Sequence, residues 1–121
     1  MEVKILSNDP ELIQALDGYK QTHPRTEEEK GSLQIGEPTR IPGAVESWFE
    51  IVALLGVPTV PLAVASGVLA NWISSGFKRK SSTTSIHITF RNGSKKVEIE
   101  IKAADIPTLQ SLVQNAIQQC Q

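Results

Sequence analysis

Two histidines and several carboxylates are the side chains of this 121-residue chain whose chemistry suits proton transfer or metal binding. His87 lies in a strand-like segment, where a hairpin would place it opposite Glu98 as an acid–base pair or as a cross-strand surface pair. His23 lies in a predicted loop, and no two histidines have the spacing of metal ligands. Glu27–Glu29 is typical of a solvated charge run. The sequence therefore predicts no catalytic, metal or cofactor site, and we expect a protein that is not an enzyme.

The size and composition of the chain indicate one folded domain. Hydrophobic residues make up 40% and charged residues 21%, which is typical of a globular protein. Only 5% are aromatic, which argues against a stacking platform for nucleic acid. Cys120 is the single cysteine and allows no disulfide framework. The first residues lack the basic and apolar regions of a signal peptide, so the expected location is the cytoplasm.

The first third of the sequence predicts a strand, a helix and a second strand. Val3 and Ile5 alternate with charged residues, as in a half-buried strand. Pro10 follows capping residues and begins a helix, whereas Leu33 and Ile35 mark a short strand. We expect these elements to form a parallel, right-handed crossover.

The last third predicts a β-hairpin followed by a helix. Apolar residues alternate with polar ones on both sides of Asn92-Gly93, a strong signal for a two-residue turn. A turn at these two residues places Ile88 opposite Val97. Asp105 is then expected to cap a final helix with one apolar stripe.

Between these parts lies an uncharged segment, from Ile51 to Phe77. The chain before it is acidic, with ten acidic and five basic residues, and the chain after it is basic, with seven basic and three acidic residues. We predict a hydrophobic helical hairpin at about 44–77, with helices at about 44–55 and 60–77. The joint is marked by Gly56, Pro58 and Pro61.

The expected fold is an α/β (α+β) domain with a single mixed sheet of about four strands. Its order is strand, helix, strand, helix, helix, strand, strand, helix. The first and last helices fill one face of such a sheet, and the other face carries residues such as Lys4 and His87, which belong in water. The helical hairpin therefore has no evident sheet surface to cover.

Three environments suit this helical hairpin. It caps an end or an edge of the same domain, it meets a protein that is a second copy or a partner, or it meets a membrane surface as a re-entrant or interfacial segment. Its tryptophans and the basic triplet that follows it are compatible with the membrane alternative. The interaction candidates are Trp48, Leu69, Trp72, Phe77, Lys78, Arg79 and Lys80.

The basic triplet also joins Arg91, Lys95 and Lys96 in a basic patch if the hairpin turn lies near it. Such a patch suits an acidic protein surface, anionic lipid headgroups or a phosphate backbone. Nucleic acid is the weakest of these three, because no recognition motif accompanies the charges.

The order of these features resembles the effector-associated constant component one family of bacterial conflict systems. The similar stretches are EVKILSNDPELIQAL, ALLGVPTVPLAVASGVLANWI with FKRK after it, HITFRNGSKKVEIEI and DIPTLQSLVQ. The resemblance implies a non-enzymatic adaptor or scaffold, without a cofactor, that helps to recruit or hold an effector such as a trypsin-like or caspase-like peptidase. The alternative expectation is a membrane-associated anchor that uses residues 51–77.

Overall fold

The computed structural model describes residues 1–22, 33–41, 48–56, 62–77 and 85–120. They form one antiparallel sheet with three α-helices packed on it. The strands are β1 (Glu2–Ser7), β2 (Leu33–Ile35), β3 (Thr39–Ile41), β4 (Trp48–Leu55), β5 (Ser85–Asn92) and β6 (Lys95–Lys102). The helices are α1 (Pro10–Thr22), α2 (Leu62–Phe77) and α3 (Leu109–Cys120), with a 3-10 helix at Ala103–Thr108. The α/β class is confirmed, but the sheet has six strands and not about four.

The strand order is β2-β4-β1-β5-β6, and β3 pairs with β4 along the same edge as β2. Every pairing is antiparallel. Because β1 and β2 both run antiparallel to β4, they share a direction but have β4 between them. The prediction of a mixed sheet is therefore wrong, because the described strands pair only in antiparallel fashion, whereas β1 and β2 do have the parallel directions of the predicted crossover.

The first strand and helix form as their sequence predicts. Val3, Ile5 and Ser7 are buried on one face of β1. At the start of α1, the Asp9 Oδ1 atom accepts hydrogen bonds from the backbone N–H of Glu11 at 3.0 Å and of Leu12 at 3.4 Å. These bonds satisfy two N–H groups that have no partner within the first turn of a helix.

Residues 48–55 form a strand, so the predicted helix at about 44–55 is wrong over this range. Ile51, Ala53 and Leu55 are buried on the helix-covered face, whereas Leu54 is exposed. An eight-residue run in which β-branched and aromatic residues are frequent suits a strand, and β4 completes the free edge of β1. The predicted helical hairpin is therefore not present as such, and the part of its joint at residues 57–61 lies outside the described residues.

The second predicted helix is confirmed as α2, which packs between α1 and α3. The added strands widen the sheet, so a third helix also finds apolar surface to cover. Trp72 is fully buried, and its Nε1–H donates a hydrogen bond to the Leu16 carbonyl oxygen at 2.9 Å. Gly76 allows the close approach of α1, because a Cβ atom there would lie 2.7 Å from the Leu12 Cδ1 atom.

The β5–β6 hairpin is confirmed, with a register that differs from the prediction. The turn is at Gly93-Ser94, and Ile88 lies opposite Ile99, not Val97. Among the described residues, positive φ is found at Gly93 (+64°). An Asn-Gly type I′ turn needs positive φ at both central residues, whereas a type II′ turn needs it only at the first. The shift of two positions keeps the apolar side chains on the same face.

The final helix begins later than predicted. The Asp105 Oδ2 atom accepts the backbone N–H of Lys102 at 2.9 Å, and the chain passes through the 3-10 helix, which contains Pro107, before α3 begins. The buried stripe of α3 then follows helical spacing, as predicted; it consists of Leu109, Val113, Ala116, Ile117 and Cys120.

Candidate functional site

All three helices pack against one face of the sheet, and no described element covers the other face, here called the open face. The alternation of side chains along each strand places mostly polar residues on it. Its central members are Glu2, Lys4, Leu6, Glu50, Val52, Leu54, His87, Thr89, Arg91, Lys96, Glu98 and Glu100. Half of these side chains are exposed and the other half are partly buried, which agrees with the prediction that one face of the sheet belongs in water.

One end of the open face carries an aromatic pair. The Trp48 and His87 ring centroids lie 6.0 Å apart, with the ring planes tilted at 49°. The His87 Nδ1 atom is 3.8 Å from the Glu100 Oε2 atom, and both side chains are exposed. The predicted pairing of His87 with Glu98 is wrong, because the hairpin register places Glu100 opposite His87. The contact has the geometry of a surface pair.

The remainder of the open face is a mixed array of charges. Ion pairs join the Lys4 Nζ and Glu50 Oε2 atoms at 3.9 Å and the Lys96 Nζ and Glu98 Oε1 atoms at 3.1 Å. These side chains are substantially exposed, so such pairs contribute at most about 1 kcal/mol to folding. Positive and negative side chains therefore alternate on this surface, and their ion pairs add little to the stability of the fold.

A shallow depression of about 220 Å³ lies in the middle of this array. It is lined by Glu2, Lys4, Leu6, Thr89, Arg91, Lys96 and Glu98. Arg91 lies directly opposite Lys96 on β6 and opposite Glu2 on β1. The like charges of Arg91 and Lys96 are each offset by a neighbouring carboxylate, Glu2 opposite Arg91 and Glu98 at 3.1 Å from Lys96, so the depression has a mixed charge.

The predicted interaction residues separate into three groups. Leu69, Trp72 and Phe77 are buried in the core, so they present no surface to a partner in the folded chain. Trp48 is half-buried on the open face, where it contacts His87. Lys78, Arg79 and Lys80 lie outside the described residues. Helix α2 packs against α1, α3 and the sheet, which corrects the expectation that it meets a surface outside the domain.

Sequence reasoning included Arg91 in a possible basic patch but missed Leu54 as a member of an interaction surface. Leu54 is 55% exposed and is the large hydrophobic side chain that stands out on the surface of the described chain. Residues 48–55 contain a single polar residue, Glu50, so the sequence shows no alternation that would place Leu54 on a strand face, and the helical interpretation places it on a helix face.

The described residues hold no group of three or more histidine, cysteine or acidic side chains that could bind a metal ion. The Cys120 thiol is buried and contacts the Lys95 carbonyl oxygen at 3.7 Å. In the ranges that the structure describes, no helix has both the length and the apolar composition needed to cross a bilayer.

Comparison of the chain with protein-family models, with curated proteins and with solved structures found no match.

Proposed function

We propose that this protein is a non-enzymatic adaptor that binds an effector protein through the open face of its sheet. The observation that carries the proposal is an exposed apolar residue, Leu54, on a face that no described element covers. Protein interfaces combine an apolar centre with a polar surround, and the charged residues around Leu54 supply such a surround. The resemblance to the effector-associated constant component one family supports an effector, such as a peptidase, as the partner.

The chemistry of the open face defines the partner surface that fits it. Leu54 and the adjacent Val52 side chain on the same face suit an apolar side chain of the partner. Arg91 and Lys96 suit an acidic one, because both are exposed cations on this face. We therefore expect an effector surface that presents an apolar residue beside an acidic one.

The proposal is tested by isothermal titration calorimetry of the purified chain against purified products of the genes adjacent to its own. One of these products is expected to bind, and Leu54→Lys and Arg91→Glu are each expected to weaken binding by about tenfold or more. Asn71→Lys places the same new charge as Leu54→Lys on the exposed surface of α2 and serves as the control. Failure of all adjacent products to bind, or equal loss in the Asn71→Lys variant, would contradict the proposal.

A further inference from the structure

None of the described strands pairs with the outer edge of β6. In a hairpin with a two-residue turn, Asn92 and Lys95 form a hydrogen-bonded pair, and alternate residues of β6 then direct their N–H and C=O groups away from β5. These outward residues are Lys96, Glu98, Glu100 and Lys102. The bond from the Lys102 N–H to Asp105 agrees with this alternation and occupies one end of the edge. The backbone groups of Lys96, Glu98 and Glu100 remain directed outward.

The charges of these three residues match those of a second copy of β6 when the two strands pair in a suitable antiparallel register. If β6 pairs with a second β6 about a two-fold axis at Glu98, Lys96 of each copy lies opposite Glu100 of the other. Two opposite-charge pairs then flank one Glu98 pair at the axis, and each Glu98 is already neutralised in part by Lys96 at 3.1 Å. The edge therefore favours its own copy as an occupant.

The neighbouring registers use these three residues less fully. A register centred on Val97 places Lys96 opposite Glu98 of the other copy, but Glu100 then lies opposite Ser94 of the turn. Glu100→Lys therefore distinguishes that register from the one centred on Glu98.

A shift that places Glu98 opposite Glu100 brings like charges together throughout, with Lys96 opposite Lys102. A shift in the same direction by one further step needs the Lys102 N–H, which Asp105 already binds. The register centred on Glu98 is thus the one in which Lys96, Glu98 and Glu100 all lie opposite one another, with opposite charges in the two flanking pairs.

The helix above this edge also tolerates a second copy. Helix α3 packs on both β5 and β6 and contains no charged residue. A second β6 would lie about 4.8 Å beyond the first, which places two α3 helices about 10 Å apart, a usual distance for packed helices. Their exposed surfaces carry glutamine and asparagine amides, which both donate and accept hydrogen bonds.

We propose that two copies of this chain associate through β6, in the register centred on Glu98, to form one continuous sheet. The association uses the backbone edge of β6 and the side chains of Lys96, Glu98 and Glu100 at one border of the open face, and Leu54 lies on β4 at the far side of that face. It therefore goes beyond the proposed effector binding and is tested without any partner. In a two-fold dimer, every substitution in β6 acts twice.

The experiment is sedimentation equilibrium of the full chain over a range of concentrations, with charge-reversal variants. The wild-type chain is expected to show a monomer–dimer equilibrium. Lys96→Glu and Glu100→Lys each replace two attractive pairs by two repulsive ones, so each is expected to weaken the dimer by about tenfold or more. A mixture of these two variants is expected to form a heterodimer as tight as the wild-type dimer to within about threefold, because both pairs are again of opposite charge.

Asn71→Glu is the control, because it adds the same negative charge as Lys96→Glu on the exposed surface of α2, away from β6, and it is expected to leave dimerisation unchanged. Circular dichroism of each variant checks that the sheet is retained. A wild-type chain that stays monomeric up to about 1 mM would overturn the proposal, as would a mixture of folded Lys96→Glu and Glu100→Lys chains that forms no heterodimer.

Discussion

The two faces of the sheet are built from the same strands and have opposite physical character. On the covered face Ile5, Ile51 and Ile88 lie side by side on β1, β4 and β5 and are fully buried. On the open face, one residue further along, Leu6 lies between Glu50 and His87. The covered face therefore supplies the free energy of folding, whereas the open face contributes little to it and is available for recognition.

The contrast between packed positions and positions outside the core is clearest in three pairs of residues of the same type. In each pair the first member is packed in the core and the second lies outside it. The pairs are Trp72 and Trp48, Leu55 and Leu54, and Gly76 and Gly18. Substitution of both members measures how strictly the two environments are separated.

The largest effect is expected at the tryptophans. Trp72→Ala removes a fully buried ring and leaves the Leu16 carbonyl without its donor, so the free energy of unfolding should fall by about 3–5 kcal/mol. Trp48→Ala should lower the free energy of unfolding by about 1 kcal/mol, because it loses the ring contact with His87. Urea denaturation of both variants measures the difference. Equal losses would show that Trp48 belongs to the core.

The adjacent leucines of β4 give the second comparison. Leu55→Ala leaves a cavity in the core and should cost about 2–5 kcal/mol, since this side chain is 2% exposed. Leu54→Ala removes a side chain that is 55% exposed and should change the free energy of unfolding by no more than about 0.5 kcal/mol. Thermal unfolding followed by circular dichroism reports both. A large loss for Leu54→Ala would mean that the open face is covered.

The smallest effect is expected at two helical glycines. Gly76→Ala brings a methyl group to 2.7 Å from Leu12 Cδ1 and 3.0 Å from Leu16 Cδ2, so these buried leucine side chains must shift, at a cost of about 1–3 kcal/mol less the gain in helix propensity. A methyl group at Gly18 meets no atom within 4 Å, so Gly18→Ala should stabilise the protein by about 0.5–1 kcal/mol. The denaturation midpoint is expected to fall for Gly76→Ala and to rise for Gly18→Ala, each relative to the wild-type chain. Stabilisation by both changes would contradict the close packing at Gly76.

Local sequence signals predicted those elements whose formation depends mainly on their own residues. The cap at Asp9, the alternation around Ile88 and the helical stripe of α3 are each contained within a few residues. The strand at 48–55 was missed because its apolar residues suit a helix or a strand equally well. Its pairing with β1, more than 40 residues away in the chain, decides between them.

The candidate surface could be predicted only in part for the same reason. The polar residues of β1, β5 and β6 identify an open face from their alternation alone. Leu54 joins that face only when β4 is a strand, and the buried positions of Leu69 and Trp72 follow only when the sheet is wide enough for three helices. Both facts depend on strand pairing across long distances in sequence.

The central position of β1 has a consequence for how the chain reaches its folded state. Its two neighbours, β4 and β5, begin at Trp48 and Ser85, so its hydrogen bonds close loops of about 40 and 80 residues. Contacts of such long range are formed late and slow the folding of small domains. During synthesis, β1 emerges first but cannot be paired on both sides until β5 has left the ribosome. Both edges of this strand, which carries Val3, Ile5 and Leu6, therefore stay unpaired for most of that time.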